Sequence, residues 1–381
     1  MLLSFLGPVN SANSANSANS ANSANSANSA NSANGFPGLA GAVSNPLLVA
    51  GLIQATGALA GAQATPFNLK PWLIGASLPA VGDEDSYLVQ RDPTTRFHLA
   101  IAELLSGLSY SATAPDTATV SLSKGGALVT LVRPSLTQFQ VQLPLVIRRA
   151  RLRPERTPEI LSQVVPQYAY WSGIVGLHPD TTPRTIEITF IALHFVMMVC
   201  QRLKHLLACP RPVEYSPMVQ PIILTPSYPA WPMGHATEAY MFAKIICKLT
   251  GQAAGSPMAQ QLQVIARRIA DNRVIAGVHF PIDSTAGFVL AEAMSDYFIA
   301  RCTSVAGTPT EEVAPVKLDS ALLNGSADGD PSTAFENDSP WNETAGAPAA
   351  TRQAALKIVR SKILAGLWER STSELQAHGW A

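Results

Sequence analysis

Apolar side chains recur at helical spacing along most of the chain. From Thr94 onward they return every three or four positions, which is the period of one face of an α-helix. Capping residues followed by proline mark helix starts, as in Thr157–Pro158–Glu159 and Ser256–Pro257. The pattern predicts these helices: Thr95 to Gly107, one starting at Thr157, Thr182 to Leu207, Gly234 to Gly251, Ser256 to Gly277, and Pro281 to Cys302.

The other patterned segments are less regular. Residues 118–147 alternate in a way that fits either a strand or a helix. Residues 303–350 are rich in Gly, Pro, Ser, Asp and Asn, which indicates a linker or excursion. Residues 351–381 are predicted to form an amphipathic helix that packs on its own core or on a sister subunit, although its basic face also suits a membrane surface (Arg352, Lys357, Arg360, Lys362). The predicted fold class is all-α, a helical bundle.

The N-terminal part has a different composition. Residues 11–34 are eight copies of Ser-Ala-Asn, which offer no side chain able to form a core. An Ala/Gly-rich stretch follows, and the first charged residue of the chain is Lys70. We therefore predict that residues 1–65 are largely disordered and that residues 66–302 form the helical domain.

Composition narrows the classes of partner. The chain has 26 basic and 26 acidic residues, so its formal net charge is zero and nucleic acid is not an expected partner. The most apolar stretch, Ile188 to Cys200, lies between charged residues and is short for a bilayer, so no transmembrane segment is expected. The prediction is a soluble protein, cytoplasmic or exported, with a homo-oligomer left open.

Three clusters of chemically active residues lie at the ends of consecutive predicted helices. Lys204 and Arg211 are seven positions apart, which is two helical turns, and Pro210 ends the helix between them. Gly234 and His235 begin the next helix, where free N–H groups and the helix dipole favour an anion. The third cluster is Asn272, Arg273, His279 and Asp283, with the carboxylate in the first turn of the last helix, within reach of the imidazole.

Each cluster taken alone has an ordinary structural explanation, such as solvated charges at a helix end or a local histidine–aspartate hydrogen bond. Together they offer three cations, two histidines and one carboxylate. Such groups can bind a tetrahedral oxyanion on several sides. Two histidines remain for nucleophilic attack and proton transfer.

The spacing K-x6-R-P, P-x-G-H and R-x5-H-x3-D resembles the signature of the type-2 phosphatidic acid phosphatase and vanadium-dependent haloperoxidase superfamily. The strict match runs from Lys204 to Asp283, and a looser one covers the helices from about Ile160 to Ala300. The resemblance implies a helical bundle of the acid phosphatase/vanadium haloperoxidase type. The N-terminal hundred residues lie outside it.

The resemblance also implies roles for the matched residues. Lys204, Arg211 and Arg273 would bind the oxygens of phosphate or vanadate, together with the Gly234 N–H. His279 would attack phosphorus or act as the axial ligand of vanadium. His235 would protonate the leaving group or donate to the apical oxygen of vanadate, and Asp283 would fix the tautomer of His279.

The chain departs from the family pattern at two positions. Met233 replaces a serine, so one hydroxyl donor to the oxyanion is missing, worth about 1–3 kcal/mol of binding. Asn272 replaces the serine before Arg273, and its amide can still donate.

Two enzymatic functions follow from the resemblance. The favoured one is a vanadate-dependent haloperoxidase that oxidises halide with hydrogen peroxide, for which Tyr228, Trp231 and Met233 would line a halide or substrate pocket. The alternative is a soluble phosphatase that hydrolyses small phosphoesters through a phosphohistidine and needs no cofactor. A third hypothesis, a non-enzymatic helical protein with a structural anion site, is disfavoured because both histidines and all three cations are present.

Overall fold

The computed structural model describes residues 87–164, 167–253, 255–303, 310–323 and 348–380, together with residues 50, 53, 54 and 81. The chain divides into two compact units, residues 1–83 and 84–381. The Ser-Ala-Asn repeat and its predicted disorder lie outside the described residues. The helices and strands from residue 87 onward belong to the second unit.

Helices dominate the described residues of this unit. They are α1 (Pro93–Ser106), α2 (Leu136–Arg149), α3 (Arg153–Ser162), α4 (Tyr168–Val175), α5 (Pro183–Leu207), α6 (Pro212–Tyr215), α7 (Gly234–Leu249), α8 (Pro257–Ile275), α9 (Pro281–Cys302) and α10 (Lys362–Ala377). Short 3-10 turns join them at Ala150–Leu152, Pro217–Val219 and Ser320–Leu322.

Seven strands among the described residues form two sheets: β1 (Leu108–Thr113), β2 (Thr117–Leu122), β3 (Ala127–Val132), β4 (Thr310–Val313), β5 (Val316–Asp319), β6 (Ala350–Arg352) and β7 (Leu356–Val359). The larger sheet has the order β1-β2-β3-β5-β6, antiparallel except for the parallel pair β3–β5. The smaller sheet pairs β4 with β7.

The prediction of a purely all-α fold is therefore corrected, because the unit is mainly helical with two sheets. The ambiguous segment 118–147 contains most of β2, all of β3 and most of α2. Thr and Ser residues alternate with Ala118, Val120 and Leu122 in β2, which suits a strand with one buried face. Pro115–Asp116 and Gly125–Gly126 supply the turns on either side.

The C-terminal segment also differs from its prediction. The predicted linker 303–350 contains β4 and β5. The first part of the predicted amphipathic helix, 351–381, forms most of β6 and all of β7, so that within it only α10 is helical. Arg352 and Lys357 consequently lie in strands rather than on a helical basic face. The α-helix begins after Ser361, whose hydroxyl accepts a hydrogen bond from the Leu364 N–H.

The core places α7 between α5, α8 and α9. At the crossing of α7 and α9, Gly287 allows close approach: a Cβ there would lie 2.6 Å from the Met233 carbonyl oxygen and 2.8 Å from the Ala236 Cβ. A side chain at residue 287 would push the two helices apart. The first turn of α7 is thus held against α9 by backbone packing.

The last helix fixes the start of α5. The Glu374 carboxylate accepts hydrogen bonds from the backbone N–H groups of Arg184 and Thr185, at 2.9 and 2.8 Å, and from the Thr185 hydroxyl at 2.7 Å. These N–H groups have no acceptor within their own helix, and a carboxylate there also suits the helix dipole.

One stretch of the described residues, Pro183–Tyr215, is long and apolar enough to cross a membrane by length and composition. Of its apolar window, 61% is buried inside the protein. The core helix of a soluble protein passes the same test, so the expected lack of a transmembrane segment stays a prediction.

Candidate active site

The three sequence clusters converge at one end of the α5–α7–α8–α9 bundle. Lys204 lies in the last turn of α5, and Arg211 follows after the chain leaves the helix. Gly234 opens α7, Arg273 lies in the last turn of α8, and His279 precedes α9. Helix termini thus supply every charged group of this pocket, because the sequence breaks its helices at Pro210, Pro232, Gly277 and Pro281.

His279 is held on both ring nitrogens. Its Nδ1 lies 2.8 Å from the Asp283 Oδ2, and its Nε2 lies 2.8 Å from the Arg211 Nη1. A guanidinium can only donate, so Nε2 accepts and the proton of the neutral ring is on Nδ1, which donates to Asp283. The Asp283 Oδ2 also accepts from the Phe280 N–H at 2.9 Å. The site therefore presents an unprotonated Nε2.

Backbone carbonyls hold the first two cations. The Lys204 Nζ donates to the carbonyl oxygens of Pro229 and Ala230, at 3.0 and 2.6 Å. The Arg211 Nε donates to the Tyr228 carbonyl at 3.0 Å, and its Nη1 also donates to the Val278 carbonyl at 2.8 Å. Both cations lie over the Tyr228 ring, 5.5 Å and 5.1 Å from its centre. Carbonyls and an aromatic face thus offset the burial of two charges without neutralising them.

Arg273 is the least satisfied cation of the pocket. It is 1% exposed, and its Nη2 donates to the Ile160 carbonyl at 2.8 Å. Its Nε and Nη1 have no hydrogen-bond partner among the described residues. Buried donors without an acceptor are costly, and an oxyanion is the acceptor that a guanidinium edge binds best.

The start of α7 offers further donors. Met233 is the N-cap residue and makes no side-chain cap hydrogen bond. No described residue accepts from the N–H of Gly234 or His235. The Met233 N–H itself donates to the Asp283 carbonyl at 2.9 Å, which ties this turn to α9.

His235 has the opposite tautomer to His279. Its Nε2 lies 3.0 Å from the Gln163 carbonyl oxygen, which can only accept, so Nε2 carries the proton of the neutral ring and Nδ1 is free of it. The Gln163 side chain is buried and bonds to Asn272 Nδ2 at 2.9 Å and to Glu159 Oε1 at 3.1 Å. The end of α3 therefore orients His235.

Burial and positive charge control the protonation of the site. Burial lowers the pKa of His279 well below its ordinary value, and Arg211 and Lys204 lower it further. Burial, then Arg273, lowers the pKa of His235 to about 3. Burial raises the pKa of Asp283, and burial lowers that of Arg273 to about 10. Without a ligand the pocket is thus strongly positive, with both histidines neutral at pH 7.

The three residues predicted for a halide or substrate pocket differ in their exposure to solvent. Tyr228 is 42% exposed, whereas Trp231 and Met233 are each 0% exposed. The Met233 sulfur is 3.7 Å from the Ser284 hydroxyl, so its side chain packs against α9. Of the three, Tyr228 is the one in contact with solvent.

Sequence reasoning missed two residues beside the pocket. Gln163 contributes a backbone carbonyl, for which no sequence signal exists. Glu238 follows Gly234 by four positions, and this spacing alone places it on the same face of α7. Asn272, expected to replace a serine donor, instead donates its amide to Gln163.

Comparisons with known proteins add little to this geometry. No protein-family model and no curated protein matches the chain. Among solved structures, it is similar to the first transmembrane PAP2 type phosphatidylglycerolphosphate phosphatase from Bacillus subtilis, with 16% sequence identity over 42% of this chain and 91% of that one, at a TM-score of 0.24. A TM-score this low does not show a common fold, so nothing about activity follows from it. The described residues themselves show a mainly helical unit in which three buried cations and a buried histidine–aspartate pair lie together at helix termini.

Proposed function

We propose that the chain hydrolyses small phosphate monoesters in this pocket through a phosphohistidine at His279. The observation that carries the proposal is the unprotonated Nε2 of His279 beside Arg273, whose Nε and Nη1 have no acceptor among the described residues. A nucleophile needs its lone pair, and a phosphoryl group needs donors for its oxygens. Both requirements are met by buried, oriented groups.

In the first step the Nε2 of His279 bonds to phosphorus as the bond to the ester oxygen breaks. Arg211 donates to this nitrogen in the free protein, so the phosphoryl group must take over that donor. The substrate oxygens then accept from Arg211, Arg273 and the N–H of Gly234. Asp283 accepts from Nδ1 and stabilises the positive charge that develops on the ring.

His235 supplies the proton for the leaving oxygen. Its pKa is low in the free protein because of burial and Arg273. A bound phosphate dianion offsets the nearby cations and raises that pKa, so the protonated form becomes available with substrate present. Water then attacks phosphorus, the nitrogen–phosphorus bond breaks, and His235 takes the proton back.

A vanadate-dependent haloperoxidase is the second candidate. The same donors suit vanadate, a tetrahedral oxyanion like phosphate, with Lys204, Arg211 and Arg273 for its oxygens and His279 Nε2 for the metal. Bound vanadate would supply a Lewis acid that activates peroxide. This candidate ranks second because Trp231 and Met233, two of its three predicted pocket residues, are each 0% exposed.

The test is hydrolysis of p-nitrophenyl phosphate by purified protein, with trapping of phosphohistidine by alkaline quench and mass spectrometry. We expect His279→Ala to lower kcat/KM by about a thousandfold or more and to abolish the trapped species. The matched control is His205→Ala, since His205 is an exposed histidine in the last turn of α5.

The outcomes separate the candidates. Hydrolysis that persists in His279→Ala would refute the assignment. Bromide oxidation that requires vanadate and peroxide, without phosphoester hydrolysis, would favour the haloperoxidase. Neither activity, with no binding of phosphate or vanadate, would favour the structural hypothesis.

A further inference from the structure

One carboxyl beside the pocket has no part in the proposed mechanism. Glu238 lies one turn into α7, and its Oε1 is 3.9 Å from the position that a Cβ on Gly234 would occupy. The side chain is half-buried, and no described residue donates a hydrogen bond to its carboxyl. A carboxyl thus borders the first turn of α7, where the N–H groups of Gly234 and His235 are free.

An ionised carboxylate there would repel a bound oxyanion. The groups that face Glu238 are Lys204 and Cys200 on α5 and Tyr228 in the following loop. Lys204 is the cation of this set, and it stabilises the ionised form. Burial outweighs it and raises the pKa of Glu238 to about 7. Below that pH the carboxyl carries a proton that it can donate.

The pocket also lacks a side-chain hydroxyl donor at the start of α7. Met233, at the N-cap, has no hydroxyl, and its sulfur packs against Ser284. Lys204 already donates to two backbone carbonyls. Lys204 keeps its third N–H for the oxyanion, and on the side of the pocket formed by the first turn of α7 the further donors are the backbone N–H groups and Glu238.

We propose that the protonated carboxyl of Glu238 donates a hydrogen bond to the oxyanion bound at the first turn of α7. The inference rests on the proposed oxyanion pocket and adds to it a pH-sensitive donor. When Glu238 ionises, the donor is lost and a negative charge is placed beside the oxyanion. Binding of a dianion should then weaken as the pH rises through 7.

Sulfate is the probe, because it stays a dianion from pH 6 to pH 8, and its binding is measured by isothermal titration calorimetry. At pH 6 we expect Glu238→Ala to bind sulfate about tenfold more weakly than wild type. Glu238→Gln keeps a neutral donor at both pH values. At pH 8 it should bind sulfate about tenfold more tightly than wild type, which has lost its donor.

Two references make the result interpretable. Glu312→Gln, which changes an exposed glutamate of β4, should match wild type at both pH values. Arg273→Ala should not bind sulfate at either pH. If Arg273→Ala loses sulfate while Glu238→Gln follows the wild-type pH profile, the Glu238 proposal is overturned and the oxyanion pocket stands. If wild type binds no sulfate, both are overturned.

Infrared spectroscopy in saturating sulfate reports the protonation state of Glu238 itself, rather than the affinity for sulfate. The wild-type minus Glu238→Gln infrared difference spectrum with sulfate at pH 6 should contain a protonated-carboxyl C=O band that is lost at pH 8.5. A spectrum without that band at pH 6 would contradict the proposal.

Discussion

Arg211 donates to the same nitrogen of His279 that attacks phosphorus in the proposed mechanism. In the free protein this contact keeps the imidazole unprotonated on Nε2 and aligned with Asp283. A phosphoryl group that enters offers oxygens with higher negative charge than a neutral ring nitrogen. The guanidinium therefore has a stronger acceptor available, and the lone pair is released only when substrate is bound.

Met233 gives the first single-residue prediction. Met233→Ser introduces a hydroxyl at the N-cap of α7, and we expect phosphate to bind about fivefold more tightly. Loss of the buried methionine side chain should lower the free energy of unfolding by about 2–5 kcal/mol. The serine cap should raise it by about 1 kcal/mol. Calorimetry with phosphate and urea denaturation measure the two effects.

Met241→Ser is the control for this variant, because Met241 is also 0% exposed on α7. It should lose stability without any gain in phosphate affinity. An equal affinity change in both variants, or none in Met233→Ser, would mean that the new hydroxyl does not reach the oxyanion.

His235 gives a prediction about pH. Its pKa in the folded chain is lowered to about 3, so the unfolded chain binds this proton first as the pH falls. The neutral His235 ring therefore contributes fully to the free energy of unfolding above about pH 6.5, and this contribution is lost progressively as the pH falls towards 3. Between pH 7.5 and 5.0 the wild type should lose about 2 kcal/mol more than His235→Gln in urea denaturation.

The exposed His205 provides the comparison for that experiment. His205→Gln should keep the wild-type dependence on pH. If His235→Gln loses as much stability as wild type between the two pH values, His235 is not the buried neutral group described above.

At the level of single residues, the sequence predicted which side chains lie together where a short fixed spacing joins them. His279 and Asp283 are close because only three residues separate them, one of which is Pro281 at the start of α9. It did not predict the contact of His235 with the backbone carbonyl of Gln163. Nor did it predict that the Asn272 amide donates to the Gln163 side chain instead of to a ligand. These depend on how α3 packs against α8, which no local pattern encodes.

Among the elements, the contact of α7 with α9 is the most constrained. We expect Gly287→Ala to destabilise the fold by about 1–3 kcal/mol, because the added methyl group meets the Met233 carbonyl and Ala236. Because Met233 begins the turn that carries Gly234 and His235, phosphate affinity should fall as well. Thermal denaturation and calorimetry measure the two effects.

Gly173→Ala is the matched control, since a Cβ at this exposed helical position would meet nothing within 4 Å. It should stabilise the protein by about 0.5–1 kcal/mol through helix propensity. If Gly287→Ala also stabilises the fold, the close approach of α7 and α9 is not as tight as described.

Helices were predictable because their period and their proline and serine starts are local. The strands β4 to β7 were not, since each has only three or four residues and is formed by pairing with a distant segment. Leu356 to Val359 fits a helical face as well as a strand until β4 is placed beside it. Long-range pairing decided the structure there.

At the level of the molecule, residues 84–381 form a compact unit with their own core. We expect a variant that starts at Glu84 to fold, to melt within a few degrees of the full chain, and to retain phosphoester hydrolysis. Circular dichroism and the p-nitrophenyl phosphate assay measure this. Loss of folding in the shortened variant would assign a structural role to residues 1–83.

The cap that Glu374 places on α5 has a consequence for synthesis on the ribosome. The helix that carries Lys204 keeps unsatisfied N–H groups at its start until residues almost two hundred positions later have been translated. A nascent chain can form α5, α7, α8 and α9 and still lack this cap and the packing of α10 on α5. Complete closure of the bundle therefore waits until α10 has been synthesised and has packed on α5.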